Sequence, residues 1–183
     1  MGGTPLSYVH GKNAGKIYSL LIKSGAVTGE PFLDAVLLGD VAKINALLED
    51  GAKINAIEKF TGNTALHFAV MSRNTKIAEM LIHKGIDINA KNKDNRKFGA
   101  IRLLNGATPL HIAVTNKDTD LIKLLIDSKA DVNATDADKR TALDIAIREK
   151  YDDIAELLIK GYNCPTLVQP KKNEESKGQT DQN

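Results

Sequence analysis

The 183-residue sequence predicts an all-α solenoid built from stacked helix-turn-helix units. Three observations predict it. A short phrase recurs, as TALHFAV from Thr64, TPLHIAV from Thr108 and TALDIAI from Thr141, with a fainter TPLSYV from Thr4. Each copy is followed twelve or thirteen residues later by a second apolar segment, KIYSLLI, KIAEMLI, DLIKLLI or DIAELLI. A small-residue turn then closes most copies, as in SGAV, HKGIDINA and SKADVNA.

Taken in order, the units number five. Residues 1–29 form a degenerate first unit. Residues 30–63 form the second, which carries Glu30 in place of the Thr but whose LLEDGAKIN matches LIHKGIDIN, with Gly51 and Gly85 thirty-four residues apart. The third runs from 64 to 107, the fourth from 108 to 140, and 141–164 is a C-terminal capping unit. The anchors at 4, 30, 64, 108 and 141 stand 26, 34, 44 and 33 residues apart. Residues 165–183 turn wholly polar after Pro170, and such a segment cannot offset the entropy of ordering; it is expected to be a disordered tail.

The fourth unit explains the pattern. Thr108 is placed to cap a helix, Pro109 follows at a position where no amide donor is needed, and Leu110, Ala113 and Val114 form one short apolar face. Leu121, Ile122, Leu124, Leu125 and Ile126 mark a second helix. Helices this short are marginal alone, since roughly 12 to 15 residues are needed even for good helix formers, so each pair must stack on its neighbours.

The phrases TPLHIAV and KADVNA resemble the ankyrin repeat, a unit of about 33 residues that opens Thr-Pro-Leu-His and closes Gly-Ala-Asp-Val-Asn. The resemblance runs from residue 4 to about 163 and is closest from 64 onward. It implies an ankyrin-repeat solenoid with β-hairpin-like finger loops between units. Ser7, Leu33 and Asp144 depart from the pattern where the family has His.

His67 and His111 follow their Thr by three residues, the place of a capping-box side chain, which gives the set Thr64, His67, Thr108, His111, Thr141 and Asp144 a structural role rather than a catalytic one. The resemblance implies that this His ties its repeat to its neighbours. It also implies that Asn55, Asn89 and Asn133, at the Val-Asn close, could be hydroxylated by an asparaginyl hydroxylase. Their plainer role is to stabilise the turn.

The interval of 44 is the informative irregularity. Eleven extra residues lie in AKNKDNRKFGAIRLLNGA, and an insertion between the second helix of one unit and the first of the next extends the finger. The stretch 91–107 carries Arg96, Lys97 and Arg102 with Phe98, Ile101 and Leu104, a mixture suited either to anchoring a partner or to folding back over its own repeats. The family's concave face, built from fingers and the exposed side of each first helix, adds Phe60, Thr61, Asn63, Met71, Ser72, Asn105, Thr115, Asn116, Asp138, Arg140, Arg148 and Glu149. Leu37, Leu38, Phe60 and Met71 would extend an apolar strip toward the insert, unless the atypical early units bury Leu37 and Leu38 in the stack, the reading favoured for those two.

These residues predict a non-enzymatic scaffold that binds another protein, with no cofactor or metal, no nucleic acid, no membrane insertion, and a monomeric state on its own. The alternative is a targeting or recognition domain of a larger enzyme, channel or secreted bacterial effector. A nucleotide-binding reading rests on GKNAGK, but only three residues separate Gly11 from Gly15, and Ile17 stands where a phosphate loop after Lys16 needs Ser or Thr. His10, His67, His83, His111 and Cys164 lack zinc-ligand spacing, and Asp131, Asp136 and Asp138 lack the calcium-loop pattern. A net charge of +2 is too small to argue for a nucleic-acid partner. The single Cys164 excludes an internal disulfide and suits a reducing compartment: cytoplasm, nucleus, or the host cytosol for a secreted effector.

Overall fold

A computed structural model of the chain describes residues 28–93 and 105–162, together with residues 17, 20, 21, 23 and 25. Eight helices run in four pairs: α1 (Pro31–Leu38) and α2 (Val41–Glu49), α3 (Ala65–Met71) and α4 (Thr75–His83), α5 (Pro109–Thr115) and α6 (Thr119–Asp127), α7 (Ala142–Arg148) and α8 (Asp152–Tyr162). Residues 17, 20, 21 and 23 are also helical. No strand occurs among the described residues; one isolated antiparallel bridge joins Ile57 to Thr64.

The packing is one-dimensional. The first helices α1, α3, α5 and α7 lie against one another in a row, each second helix packs on its own partner, and α4, α6 and α8 follow in turn. One continuous core results, with Phe68, Leu33, Ile44, Leu66, Ile77, Leu81, Leu110, Leu121, Ile122 and Leu125 fully enclosed. An apolar side chain of this size stabilises by about 1.5 to 3 kcal/mol when buried, and here the enclosing surface comes from the partner helix and from adjacent units.

Local chemistry starts each helix at its place. Thr64, Thr108 and Thr141 stand in extended backbone at the N-caps of α3, α5 and α7. Asp40, Asn74 and Asp118 cap the second helices by accepting from Lys43, Ile77 and Leu121 amides at 3.0, 3.2 and 3.1 Å. The second unit lacks its Thr: Glu30 makes no side-chain cap, Pro31 opens α1, and Asp34 instead accepts the Thr28 amide at 2.8 Å. His83 closes α4, where a basic side chain meets the negative end of the helix dipole.

Each first helix ends in the same turn. Gly39, Arg73, Lys117 and Lys150 occupy it with φ of 78°, 54°, 54° and 57°. Their amides return to the carbonyls of Val36, Val70, Val114 and Ile147. A left-handed residue other than glycine costs roughly 1 kcal/mol. Two of the three cations use the position to reach the next unit: the Arg73 guanidinium donates to the Asn116 carbonyl, and the Lys117 ammonium lies 3.9 Å from the centre of the Tyr151 ring.

The last pair ends the described stack without a neighbour to cover it. Val70, Val114 and Ile147 occupy one register position, yet the two valines are 0% exposed and Ile147 is 60% exposed. Ile159 of α8 is 47% exposed as well. Shaving these equivalent sites should therefore have unequal effects. Val114→Ala is expected to lower unfolding stability by about 1 to 3 kcal/mol and Ile147→Ala by less than about 1 kcal/mol, as read by urea denaturation; equal losses would contradict the stacking register.

Candidate functional site

The fingers are closed at their bases by one repeated backbone bond. The amides of Glu58, Asn92 and Asp136 donate to the carbonyls of Asn63, Ala107 and Arg140 at 2.8, 3.0 and 2.9 Å. In the second finger the Ala107 amide also donates to Asn92 Oδ1 at 2.9 Å, so the two ends of the long insertion leave and rejoin the stack side by side. Adjacent fingers are tied edge to edge, Lys93 amide to Thr61 carbonyl and Ala137 amide to Asn105 carbonyl, both at 2.8 Å. Gly62 and Gly106 permit these approaches: a Cβ on either would lie 2.9 Å from the Lys93 or Ala137 amide nitrogen, and both have φ above 60°.

Each finger base holds a buried polar side chain. Asp136 accepts from the Asp138 and Arg140 amides and, on its other oxygen, from Arg140 Nε and Nη2 at 2.8 and 2.6 Å. Burial alone would raise its pKa, but the bonds and charge of Arg140 outweigh that and hold it below the usual carboxylate range. Asn92 reaches Asn63 Oδ1 through Nδ2 at 3.3 Å. Glu58 Oε2 accepts from the Thr61 amide and hydroxyl at 2.7 and 2.6 Å, while its buried Oε1 has no hydrogen-bond partner.

The imidazoles join helix starts to fingers. His67 Nδ1 takes bonds from the Thr64 amide at 3.2 Å and hydroxyl at 2.8 Å, and Nε2 donates to the Ala107 carbonyl of the following finger at 3.0 Å. A carbonyl can only accept, which assigns the proton of the neutral ring to Nε2. His111 repeats the arrangement with Thr108 and the Arg140 carbonyl. At the last pair Asp144 takes the place of the imidazole, accepting from the Thr141 amide and hydroxyl at 2.8 Å each. Both nitrogens of each buried imidazole are engaged in bonds that tie the helix start to the finger base.

Known proteins share this pattern. A profile for ankyrin repeats in three copies matches residues 9–92 and 93–167. The chain belongs to the ankyrin-repeat family. An ankyrin repeat protein of Fowlpox virus (strain NVSL) is 43% identical over 54 residues, which is 30% of this chain and 13% of the viral protein's length. Ankyrin repeats are generally protein-protein interaction modules and typically not enzymes. Among the described residues no helix is long and apolar enough to cross a membrane, and no group of three or more His, Cys, Asp or Glu is placed to hold a metal ion.

The ankyrin stack sorts the residues expected at its concave face. Phe60 is 43% exposed; Leu38, Asp138, Arg148 and Glu149 are exposed, and Met71, Ser72, Asn105 and Thr115 are half-buried. Arg148 and Glu149 pair at 3.1 Å. Three residues expected at the surface are buried. Thr61 and Asn63 are 1% and 4% exposed because they close the finger around Glu58, and Asn116 is buried with its amide on the Val70 carbonyl at 3.3 Å. Leu37 is 2% exposed and joins the core, which leaves Leu38 alone of that pair at the surface. Arg140 is largely spent on Asp136 and Asp138. Arg96, Lys97, Phe98, Ile101, Arg102 and Leu104 lie outside the described residues, as do Gly11 to Lys16.

Sequence reasoning passed over Ile57, Lys59 and Lys139 on the fingers, all exposed; placing the recurring phrases in register would have found them. Asn55 and Asn89 do more than shape their own turns. Their side-chain oxygens accept the Asp87 and Asp131 amides of the following unit at 2.9 and 2.8 Å.

Burial of the imidazoles makes the stack acid-sensitive. Loss of hydration pushes His67 from an ordinary value near 6.5 down to about 4, only partly opposed by its bond to Ala107, and the same cause lowers His111. The unfolded chain thus binds a proton near pH 6.5 that the folded chain refuses until about pH 4. Stability falls as pH falls through that window, by about 3 kcal/mol from His67 when complete. A histidine NMR titration is expected to show His67 neutral down to about pH 5, with the urea midpoint dropping in parallel; a His67 midpoint near 6.5 would contradict the assigned hydrogen bonds.

Proposed function

We propose that this ankyrin-repeat protein is a non-enzymatic scaffold that holds a partner protein through its concave face and the 91–107 finger. The observation that carries the reading is the clamped base of the second finger. Asn92 and Ala107 fix where the insertion leaves the stack, next to the exposed Phe60 and the edge-to-edge bonds of the neighbouring fingers. A recognition element anchored on rigid units loses little conformational entropy on binding, so a few anchors suffice for useful affinity. The insertion mixes Arg96, Lys97 and Arg102 with Phe98, Ile101 and Leu104, types that supply directed hydrogen bonds and buried area at interfaces.

Affinity capture with mass spectrometry tests the reading, comparing the full chain with a version lacking eleven residues of the insertion, which restores a spacing of 33. The expected result is a partner retained by the full chain and lost by the shortened one. Capture of the same partner by both would move recognition to the concave face alone. Changing Phe98 and Arg102 together to Ala should leave helical content and melting temperature nearly intact while weakening capture; a large stability loss would sink the role of the insertion as a binding arm.

A further inference from the structure

We propose that the finger edge takes an acidic segment of its partner, one that carries a large apolar side chain to lie against Phe60; this rests on the scaffold reading above. The argument is charge complementarity along one continuous edge. Lys59, Lys91, Lys93 and Lys139 are exposed on three successive fingers, and the inter-finger bonds through Thr61 and Asn105 hold those fingers side by side. The acids beside Lys59 and Lys139 are withdrawn from the surface field. Glu58 and Asp136 are 2% and 5% exposed, Asp136 is neutralised by Arg140, and Asp138 sits 3.1 Å from the same guanidinium. Lys59, Lys93 and Lys139, with Lys91 donating to the Thr135 carbonyl, therefore outnumber Asp87 and Asp131, the exposed acids of these finger segments that no guanidinium offsets, although the chain as a whole carries only +2. Arg96, Lys97 and Arg102 against the single Asp94 give the insertion the same sign.

Exposed apolar groups interrupt the cations. Phe60 lies between Lys59 and Thr61 in sequence, one residue before the carbonyl that meets the Lys93 amide, and its exposed phenyl ring offers buried area that charge alone does not. An acidic peptide with one apolar anchor satisfies both features.

Selection from a displayed library of random peptides of about 15 residues, panned on the full chain, tests the proposal. The parallel target is the double variant Lys59→Glu, Lys93→Glu. These positions have ordinary backbone, unlike Lys139 with φ of 61°, so the variant should keep the helical signal and melting temperature of the parent. Enriched sequences are expected to be acidic around a Phe, Leu or Trp. Their affinity should fall at least about tenfold on the variant and again when salt is raised to about 0.5 M.

Enrichment of neutral or basic peptides would overturn the acidic-segment proposal and leave the scaffold reading intact. Acidic peptides that bind the double variant equally well would also overturn it. Tighter binding of a single-stranded oligonucleotide probe than of any enriched peptide would replace it with a nucleic-acid surface. No enrichment over an unrelated protein would overturn it, and the insertion-dependent capture described above would then decide separately whether the scaffold reading survives.

Discussion

The structure depends on a hydrogen bond that ties the start of a first helix to the base of the finger leading to the next unit. A first helix of seven residues, such as Ala65–Met71, cannot hold itself together in water, and its start is fixed only because the His67 ring spans Thr64 on one side and the Ala107 carbonyl on the other. The ring is completely buried, so losing either partner would leave a polar nitrogen without solvent, at a cost of about 1 to 3 kcal/mol. His111 does the same for the following pair, and the Asn55 and Asn89 side chains repeat the principle at the outer turns. Helix formation and stacking are consequently one process.

That coupling also places the surface. The carbonyl that receives the imidazole belongs to the base of a finger, so the bond that starts a helix aligns the finger beside it. Eleven additional residues can then be carried between Asn92 and Ala107 without altering the base, because the backbone pair there matches those at Glu58 and Asp136. Insertions at such an edge change what a stack can hold while its core goes untouched.

Much of this was legible in the sequence, and the rest was hidden for identifiable reasons. Thr64, His67, Thr108 and His111 declare themselves because capping is a local act within four residues. Thr61, Asn63 and Asn116 misled, since a short polar residue reads as surface, whereas here Thr61 bonds Glu58 of its own finger, Asn63 is reached by Asn92 of the next, and Asn116 donates to the Val70 carbonyl of the preceding unit. Leu37 and Leu38 are alike in composition, and only the position of α3 decides that one is core and the other exposed. Arg73 and Lys117 gave no signal at all. Their left-handed backbone usually calls for glycine, and their reach to Asn116 and Tyr151 appears only once the units are stacked.

Native-state hydrogen exchange on the full chain and on His67→Gln tests the coupling most directly. The account predicts that protection falls together in α3 and in the neighbouring pairs, α1–α2 and α5–α6, by a similar factor, because no pair is stable without the bond that joins it to the next. Loss confined to residues 64–71, with the flanking pairs as protected as in the parent, would show that each helix pair stands by itself and would contradict the account.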